Sequence, residues 1–334
     1  MKRITNLKNR YKWDVIAIWT VILAGCMSIW FLLAMLLFSG GSDSAAIVSS
    51  LQQKGVQKRF TLPEIPATLT DPALRADYLV KHYWDNFDFS DTTLIHLPQV
   101  TEQAFADYVD LLPRVKNSAV NRSIWALLAQ CEADSAMYGY FCGQFEKYLY
   151  EPNSPFRNEE CYLAVVEYIL ADKHTDEPHR IRPAFVRKMI LKNRAGTRAA
   201  NFSYATATGR TGKLYDLKTD FTLVFFNNPE CHACVQMKEA IQGSPLYADL
   251  LQKGKLSILA FYPDTDIALW QKHVSEIPAS WINACDPTGK FRQDVVYDLR
   301  AIPSLYLLDK NKTVLLKDAG FGQIANYLLD DSAS

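Results

Sequence analysis

Two cysteines separated by two residues carry the strongest chemical signal in this sequence. They are Cys231 and Cys234 of the segment Cys-His-Ala-Cys. Residues three positions apart on a helix are neighbours on its surface, so these two thiols could close a disulfide with each other. The thiolate is the nucleophile in disulfide exchange. The spacing therefore predicts a redox-active dithiol in which Cys231 attacks a partner and Cys234 resolves the mixed disulfide.

The elements around the two cysteines predict how the thiolate is stabilised. Residues 221–226 form a continuous apolar and β-branched run that is typical of a buried strand. Residues 235–241 fit a helix, and Gly243 is a plausible stop for it. The dithiol therefore lies between the end of a strand and the N-terminus of a helix. The positive end of the helix and its unpaired N–H groups stabilise a thiolate there.

Two neighbouring side chains could tune this chemistry. His232 lies between the cysteines, where it can add positive charge or a hydrogen bond near Cys231. Glu230 directly precedes Cys231 and is a candidate proton acceptor, with a solvated surface glutamate as the alternative reading. The two residues between the cysteines do not fix the direction of electron flow.

The rest of the C-terminal region alternates between strand-like and helix-like segments, which predicts an α/β architecture. Strand signals begin only after Thr206. The expected strands are residues 256–262, 305–308 and 314–316, and the expected helices are residues 266–274 and 321–329.

An Ile-Pro pair makes this pattern more specific. Ala301-Ile302-Pro303-Ser304 stands just before the penultimate strand, roughly seventy residues after the dithiol. Strand, CxxC, helix and a later Ile-Pro before a hairpin resemble the thioredoxin fold. The order of elements is similar to the membrane-associated thiol-disulfide oxidoreductases of the TlpA/ResA type. The resemblance implies that Pro303 is a cis-proline facing the dithiol and that the backbone of Ile302 pairs with an extended substrate segment. The His-Ala dipeptide departs from the most familiar thioredoxin pattern and leaves reductase, oxidant or isomerase open.

The region from about residue 60 to residue 193 reads as an all-α domain of five to seven helices. It resembles the domain of unknown function DUF5106, found ahead of such thioredoxin-like domains in Bacteroidetes, through residues 83–91 and 148–155. Its three cysteines and a fourth in the C-terminal region are expected to be free thiols, although the sequence does not fix their pairing. These are Cys131, Cys142, Cys161 and Cys285.

The N-terminus decides the expected compartment. Basic residues within 1–14 precede the apolar run 15–38, whose 24 residues would span roughly 36 Å as a helix, enough to cross a bilayer. The basic flank predicts that this end stays cytoplasmic and that the rest is exported. Residues 39–59 read as a linker. Two alternatives also export the chain: a lipoprotein signal with lipidation at Cys26, or a cleaved signal peptide.

Composition narrows the function classes. Lys and Arg together number 36 and so do Asp and Glu, so the chain lacks the basic excess of a nucleic-acid binder. Seven cysteines at low density are not a disulfide scaffold. A structural zinc site would need two further ligands at similar spacing, which the surroundings of the CxxC do not offer.

The sequence thus predicts a membrane-tethered periplasmic thiol-disulfide oxidoreductase with its thioredoxin-like domain at residues 194–334. Its partners would be exported proteins with thiols or disulfides and an electron donor in the membrane or periplasm. The dithiol itself would be the redox group, without a further cofactor. The alternative is an envelope binding or scaffold protein whose helical domain captures a partner. Peroxide reduction is less favoured, because no Pro-x-x-x-Thr-x-x-Cys arrangement precedes Cys231.

Overall fold

A computed structural model describes residues 58–172 and 177–332 of the chain. From Phe60 onward the chain is one compact unit. An all-helical region comes first, and a mixed sheet with helices follows it. The predicted anchor at 15–38 and Cys26 lie outside the described residues. Within the described ranges, no helix is both long and apolar enough to cross a membrane.

The helical region contains six α-helices among its described residues, as the apolar periodicity predicts. Helix α1 shows why the chain turns helical there: Pro72 occupies the first turn, and the Asp71 carboxylate accepts a hydrogen bond of 2.9 Å from the N–H of Leu74. The helices are α1 Pro72–His82, α2 Thr101–Leu111, α3 Asn117–Cys131, α4 Ser135–Phe145, α5 Glu159–Ala171 and α6 Glu177–Leu191. A π-helical turn, Glu146–Tyr150, continues α4.

Aromatic side chains form the core of this region. Trp84, Phe105, Tyr108 and Phe141 are all nearly or fully buried, and the rings of Trp84 and Phe141 lie edge to face with centroids 5.2 Å apart. Burial of each such side chain contributes about 1.5–3 kcal/mol, which explains how a region built from short helices holds together.

The C-terminal region is built on one seven-stranded sheet with the order β2-β1-β5-β4-β3-β6-β7. Strands β3, β4 and β5 are parallel, and β6 runs antiparallel to β3. The strands are β1 Ser203–Thr206, β2 Thr211–Lys213, β3 Phe221–Phe226, β4 Leu256–Tyr262, β5 Ile282–Cys285, β6 Ser304–Asp309 and β7 Val314–Lys317. The helices are α7 His232–Gln242, α8 Pro245–Gln252, α9 Ile267–Lys272, α10 Lys290–Gln293 and α11 Phe321–Ser332.

Several elements of this region differ from the sequence prediction. Strand β1 ends at Thr206, so the expectation that strands begin only after that residue was wrong. The pattern also gave no signal for β2, β5, α8 or α10. Strand β2 is a half-exposed Thr-Gly-Lys segment without hydrophobic alternation, and it forms only because it pairs with β1. The helix expected over 266–274 ends at Lys272, and a 3₁₀ turn follows it.

The central strand β3 is covered on both faces, which is why its sequence is continuously apolar. Leu223 and Phe225 pack into the cluster that includes residues of α7 and α11. Val224 and Phe226 pack into the cluster on the opposite face. This burial fixes the position at which β3 ends, and therefore the position at which the dithiol begins.

A cluster of charged side chains joins the helical region to the sheet region. Glu159, the first residue of α5, pairs with Arg300, and its Oε2 lies 2.8 Å from the Nζ of Lys317. Arg300 also donates to the carbonyl oxygen of Tyr150 and lies over that ring at 3.8 Å from its centroid. The side chains of Glu159, Arg300 and Lys317 are only 10–19% exposed.

The same cluster completes the end of α6. Lys317 Nζ donates to the carbonyl oxygens of Met189, Ile190 and Lys192 at 3.0–3.3 Å. The last carbonyl groups of a helix have no partner within the helix, and a cation is favourable at that end. Lys317 therefore caps a helix of the first region from a strand of the second.

We expect Glu159→Gln to lower the free energy of unfolding by about 1–3 kcal/mol, because it removes the carboxylate that Arg300 and Lys317 share and leaves Asp298 as the remaining ion-pair partner of Arg300. Urea unfolding followed by tryptophan fluorescence measures this change. Glu151→Gln is the matched control: this glutamate is exposed in the same stretch of chain, and its loss should cost less than about 0.5 kcal/mol. Equal shifts in the two variants would contradict a supporting role for the cluster.

Candidate active site

Cys231 occupies the position directly before α7 and caps that helix with its sulfur. Its φ of −84° and ψ of 111° are extended, and its Sγ accepts a hydrogen bond of 3.3 Å from the N–H of Cys234. Side-chain acceptors at this position satisfy one of the unpaired N–H groups of the first helical turn. The same N–H group and the positive end of the helix stabilise negative charge on Cys231.

Cys234 lies one turn into α7 and has a different environment. Its side chain is 3% exposed, whereas Cys231 is half-buried. Burial raises the pKa of Cys234 to about 12, and a hydrogen bond with Cys231 acts in the same direction, against a smaller lowering by the backbone of Asn228. At neutral pH Cys234 therefore keeps its proton.

Two asparagines hold the loop between β3 and α7 in place, one as a hydrogen-bond donor and the other as an acceptor. Asn227 Nδ2 donates to the carbonyl oxygen of Phe225 at 3.1 Å. The carbonyl oxygen of Asn228 accepts from the N–H of Cys231 at 3.0 Å, and its side-chain oxygen accepts from the N–H of Glu230 at the same distance. The end of β3 thus determines the position of the Cys231 sulfur.

The Ile302–Pro303 peptide bond is cis, in agreement with the sequence-based expectation. Strand β6 begins at Ser304, which pairs with Phe226 at the end of β3, so the residues before it lie beside the dithiol. The Sγ of Cys231 is 3.5 Å from the carbonyl oxygen of Ile302. The structure thus brings Cys231, Cys234, Ile302 and Pro303 together.

The other two predicted site residues are placed differently. His232 is exposed, and its Nε2 lies 3.1 Å from Nε2 of Gln236 on the next turn of α7. Glu230 is also exposed, and its negative charge contributes to the raised pKa of Tyr262. Among the described residues, neither side chain forms a hydrogen bond with the sulfur of Cys231 or Cys234. Their catalytic roles stay predictions.

Asp264 is a carboxylate at the site that the sequence analysis did not single out. It follows β4, the parallel neighbour of β3, so both strands end at the same edge of the sheet. One carboxylate oxygen pairs with Arg292 at 2.8 Å, and the other accepts from Asn228 Nδ2 at 3.1 Å. Its charge contributes to the raised pKa of Cys234. An acidic residue directly after a strand next to β3 was the available signal.

The four remaining described cysteines form no disulfide, as expected for free thiols. Three are buried and Cys142 is half-buried. Burial raises the pKa of all four, to about 11 for Cys142 and Cys285 and to about 12 for Cys161, with Cys131 raised in the same direction. In the described part of the chain, no group of three His, Cys, Asp or Glu side chains could hold a metal ion.

The chain resembles known families and structures over most of its length. The family described as domain of unknown function DUF5106 matches residues 41–193. A thioredoxin-like protein from Bacteroides caccae is 44% identical over 82% of this chain and 99% of that one, with a TM-score of 0.79. The C-terminal domain of an uncharacterized protein from Bacteroides fragilis is 45% identical over 42% of this chain and 99% of that one, with a TM-score of 0.41. No curated protein matches the chain.

We expect iodoacetamide at neutral pH to modify Cys231 before Cys234 in the reduced protein, because Cys234 is buried and protonated. In a Cys231→Ser variant, modification of Cys234 should accelerate about tenfold per pH unit as its thiolate fraction rises toward a pKa of about 12. Peptide mass spectrometry measures each site separately. The peptide with buried Cys285 reports that the fold is intact. Equal rates at Cys231 and Cys234 would contradict the assigned environments.

Proposed function

This chain belongs to the family of thioredoxin-like proteins with an N-terminal DUF5106 region, and we propose that it is a thiol-disulfide oxidoreductase acting on protein disulfides through Cys231 and Cys234. One observation carries the proposal. The Cys231 sulfur stands at the N-terminus of α7, where it accepts the N–H of Cys234 and lies 3.5 Å from the carbonyl oxygen of Ile302. The attacking sulfur therefore lies at a helix N-terminus with its resolving thiol one turn away.

The chemistry takes two displacement steps. The Cys231 thiolate attacks one sulfur of a substrate disulfide, that S–S bond breaks, and the other substrate sulfur leaves as a thiolate. Cys234 then loses its proton and attacks the Cys231 sulfur, which closes the intramolecular disulfide and releases the second substrate thiolate. Two electrons pass from the dithiol to the substrate, and the leaving thiolates take up protons. The reverse sequence oxidises a substrate dithiol, so the reduction potential sets the direction.

The second step needs a proton acceptor, because Cys234 ionises only well above neutral pH. Glu230, singled out from the sequence, and Asp264, whose charge contributes to the raised pKa of Cys234, are the two candidates for this role. His232, on the outer face of α7, would affect the approach of a partner.

The backbone beside Pro303 offers a place for the substrate chain. In the described part of the protein the N–H of Ile302 has no recorded hydrogen-bond partner, and Ile302 is half-buried next to the Cys231 sulfur. An extended segment around the substrate cysteine can pair with this backbone, as strands pair with a sheet edge. Such pairing uses hydrogen bonds to main-chain groups, which are the same in every polypeptide, so it is compatible with different substrate sequences.

We further propose that the enzyme works in the cell envelope on exported proteins, tethered through residues 15–38. The basic residues before this apolar run and its length support the proposal. A second partner, an electron donor in the membrane or periplasm, would reset the dithiol after each turnover. Lipid attachment at Cys26 would give the same orientation.

We expect Cys234→Ser to accumulate mixed disulfides between Cys231 and substrate proteins, because the resolving thiol is missing. Non-reducing electrophoresis before and after dithiothreitol, with mass spectrometry of the linked peptides, measures these adducts. Cys285→Ser, which removes a buried thiol that packs with Tyr262 and Trp270, is the matched control and should trap none above wild type. Absence of adducts, together with no turnover of a reporter disulfide by the wild type, would refute the enzyme and favour a binding or scaffold role.

A further inference from the structure

A cleft of about 660 Å³ adjoins the dithiol and is lined by both regions of the chain. On one side are Ala233 and Met237 of α7 together with Ile302 and Pro303. The opposite side is residues 152–160 of the helical region. The volume is within the range of about 300–1,000 Å³ that is usual for ligand sites.

We propose that this cleft binds the polypeptide chain flanking the reacting cysteine of a substrate protein, so that the helical region forms one wall of the substrate site. The inference rests on the proposed oxidoreductase function and adds where the rest of the substrate lies. Because Ile302 and Pro303 themselves line the cleft, a segment that pairs with the Ile302 backbone lies at its edge. The chain beyond that segment then contacts residues 152–160.

The charges in the cleft favour a neutral polypeptide over a small charged disulfide such as that of glutathione. Each charged side chain that lines the cleft already has an ion-pair partner within this protein, so none is left to neutralise a charged ligand. The pairs are Arg157 with Asp318, Glu160 with Arg194, and Glu159 with both Arg300 and Lys317. The remaining polar lining includes side-chain amides, among them exposed Asn153, which can hydrogen-bond to peptide groups.

The wall formed by residues 152–160 is held in place before any substrate binds. Ser154 Oγ donates to the carbonyl oxygen of Tyr148 at 2.5 Å. The N–H of Asn158 donates to the carbonyl oxygen of Leu149 at 2.9 Å. Arg157 donates to the carbonyl oxygen of Asp318 across the cleft at 2.7 Å. A site whose walls are already fixed loses less conformational entropy on binding, which favours recognition of a flexible chain.

Two probes of different length separate contact in the cleft from reaction at the dithiol. Both carry one cysteine in a mixed disulfide with thionitrobenzoate. One is N-acetylcysteinamide, and the other is a neutral peptide with four residues on each side of the cysteine. Full-length protein is reduced beforehand and used for a single turnover, so no electron donor is needed. Cys231 attacks the cysteine sulfur of the probe and thionitrobenzoate leaves, because the thiol of lower pKa leaves faster.

Asn153→Trp should fill the cleft from the helical wall. We expect it to slow reaction with the long peptide at least tenfold and to leave the rate with the short probe within twofold of wild type. Asn121→Trp is the matched control: it makes the same change on an exposed position of α3 and should alter neither rate. Gly320→Phe fills the cleft from the opposite side, since an added Cβ there meets only Gln323 Oε1 at 3.8 Å, and should repeat the effect if Asn153→Trp folds poorly.

The outcomes distinguish this proposal from the one on which it rests. If cleft-filling variants react with the long peptide as fast as wild type, or slow both probes equally, the cleft does not bind the flanking chain, while the oxidoreductase function stands. If wild-type protein releases thionitrobenzoate from neither probe, the oxidoreductase function fails and this proposal fails with it.

Discussion

A single hydrogen bond, from the N–H of Cys234 to the sulfur of Cys231, links the chemistry of this protein to its fold. It exists only because α7 begins at His232, and α7 begins there because β3 is buried on both faces and ends at Phe226. The two thiols that it joins lie in different environments. Cys231 is half-buried beside the helix N-terminus, whereas burial holds the proton on Cys234.

Local sequence was sufficient for the parts of the site that one strand and one helix determine. The apolar run 221–226, the CxxC and the Ile-Pro pair each carry a signal within a few residues, and the cis bond agreed with the resemblance. Pairings over long distances left no such signal. Glu159 and Arg300 are separated by 141 positions, and nothing around either residue indicates the other. The position of Asp264 directly after a strand was visible in the sequence, but its relevance depends on β4 lying beside β3.

The contact between the two regions is formed by nearly buried ion pairs of Glu159 with Arg300 and Lys317. Paired charges of this kind add less stability than apolar packing would, but they accept few alternative arrangements. Arg300 is part of this contact and precedes Pro303 by three residues. The segment that carries the cis-proline is therefore fixed at one end by β6 and at the other by contacts with Tyr150 and Glu159.

The cap that Lys317 forms on α6 also affects when, during synthesis, the helical region can complete its native contacts. The last carbonyl groups of α6 receive their partner from β7, more than a hundred positions later. During synthesis the first region emerges long before the residue that closes its final helix. It can acquire its full set of native contacts only when nearly the whole polypeptide is present.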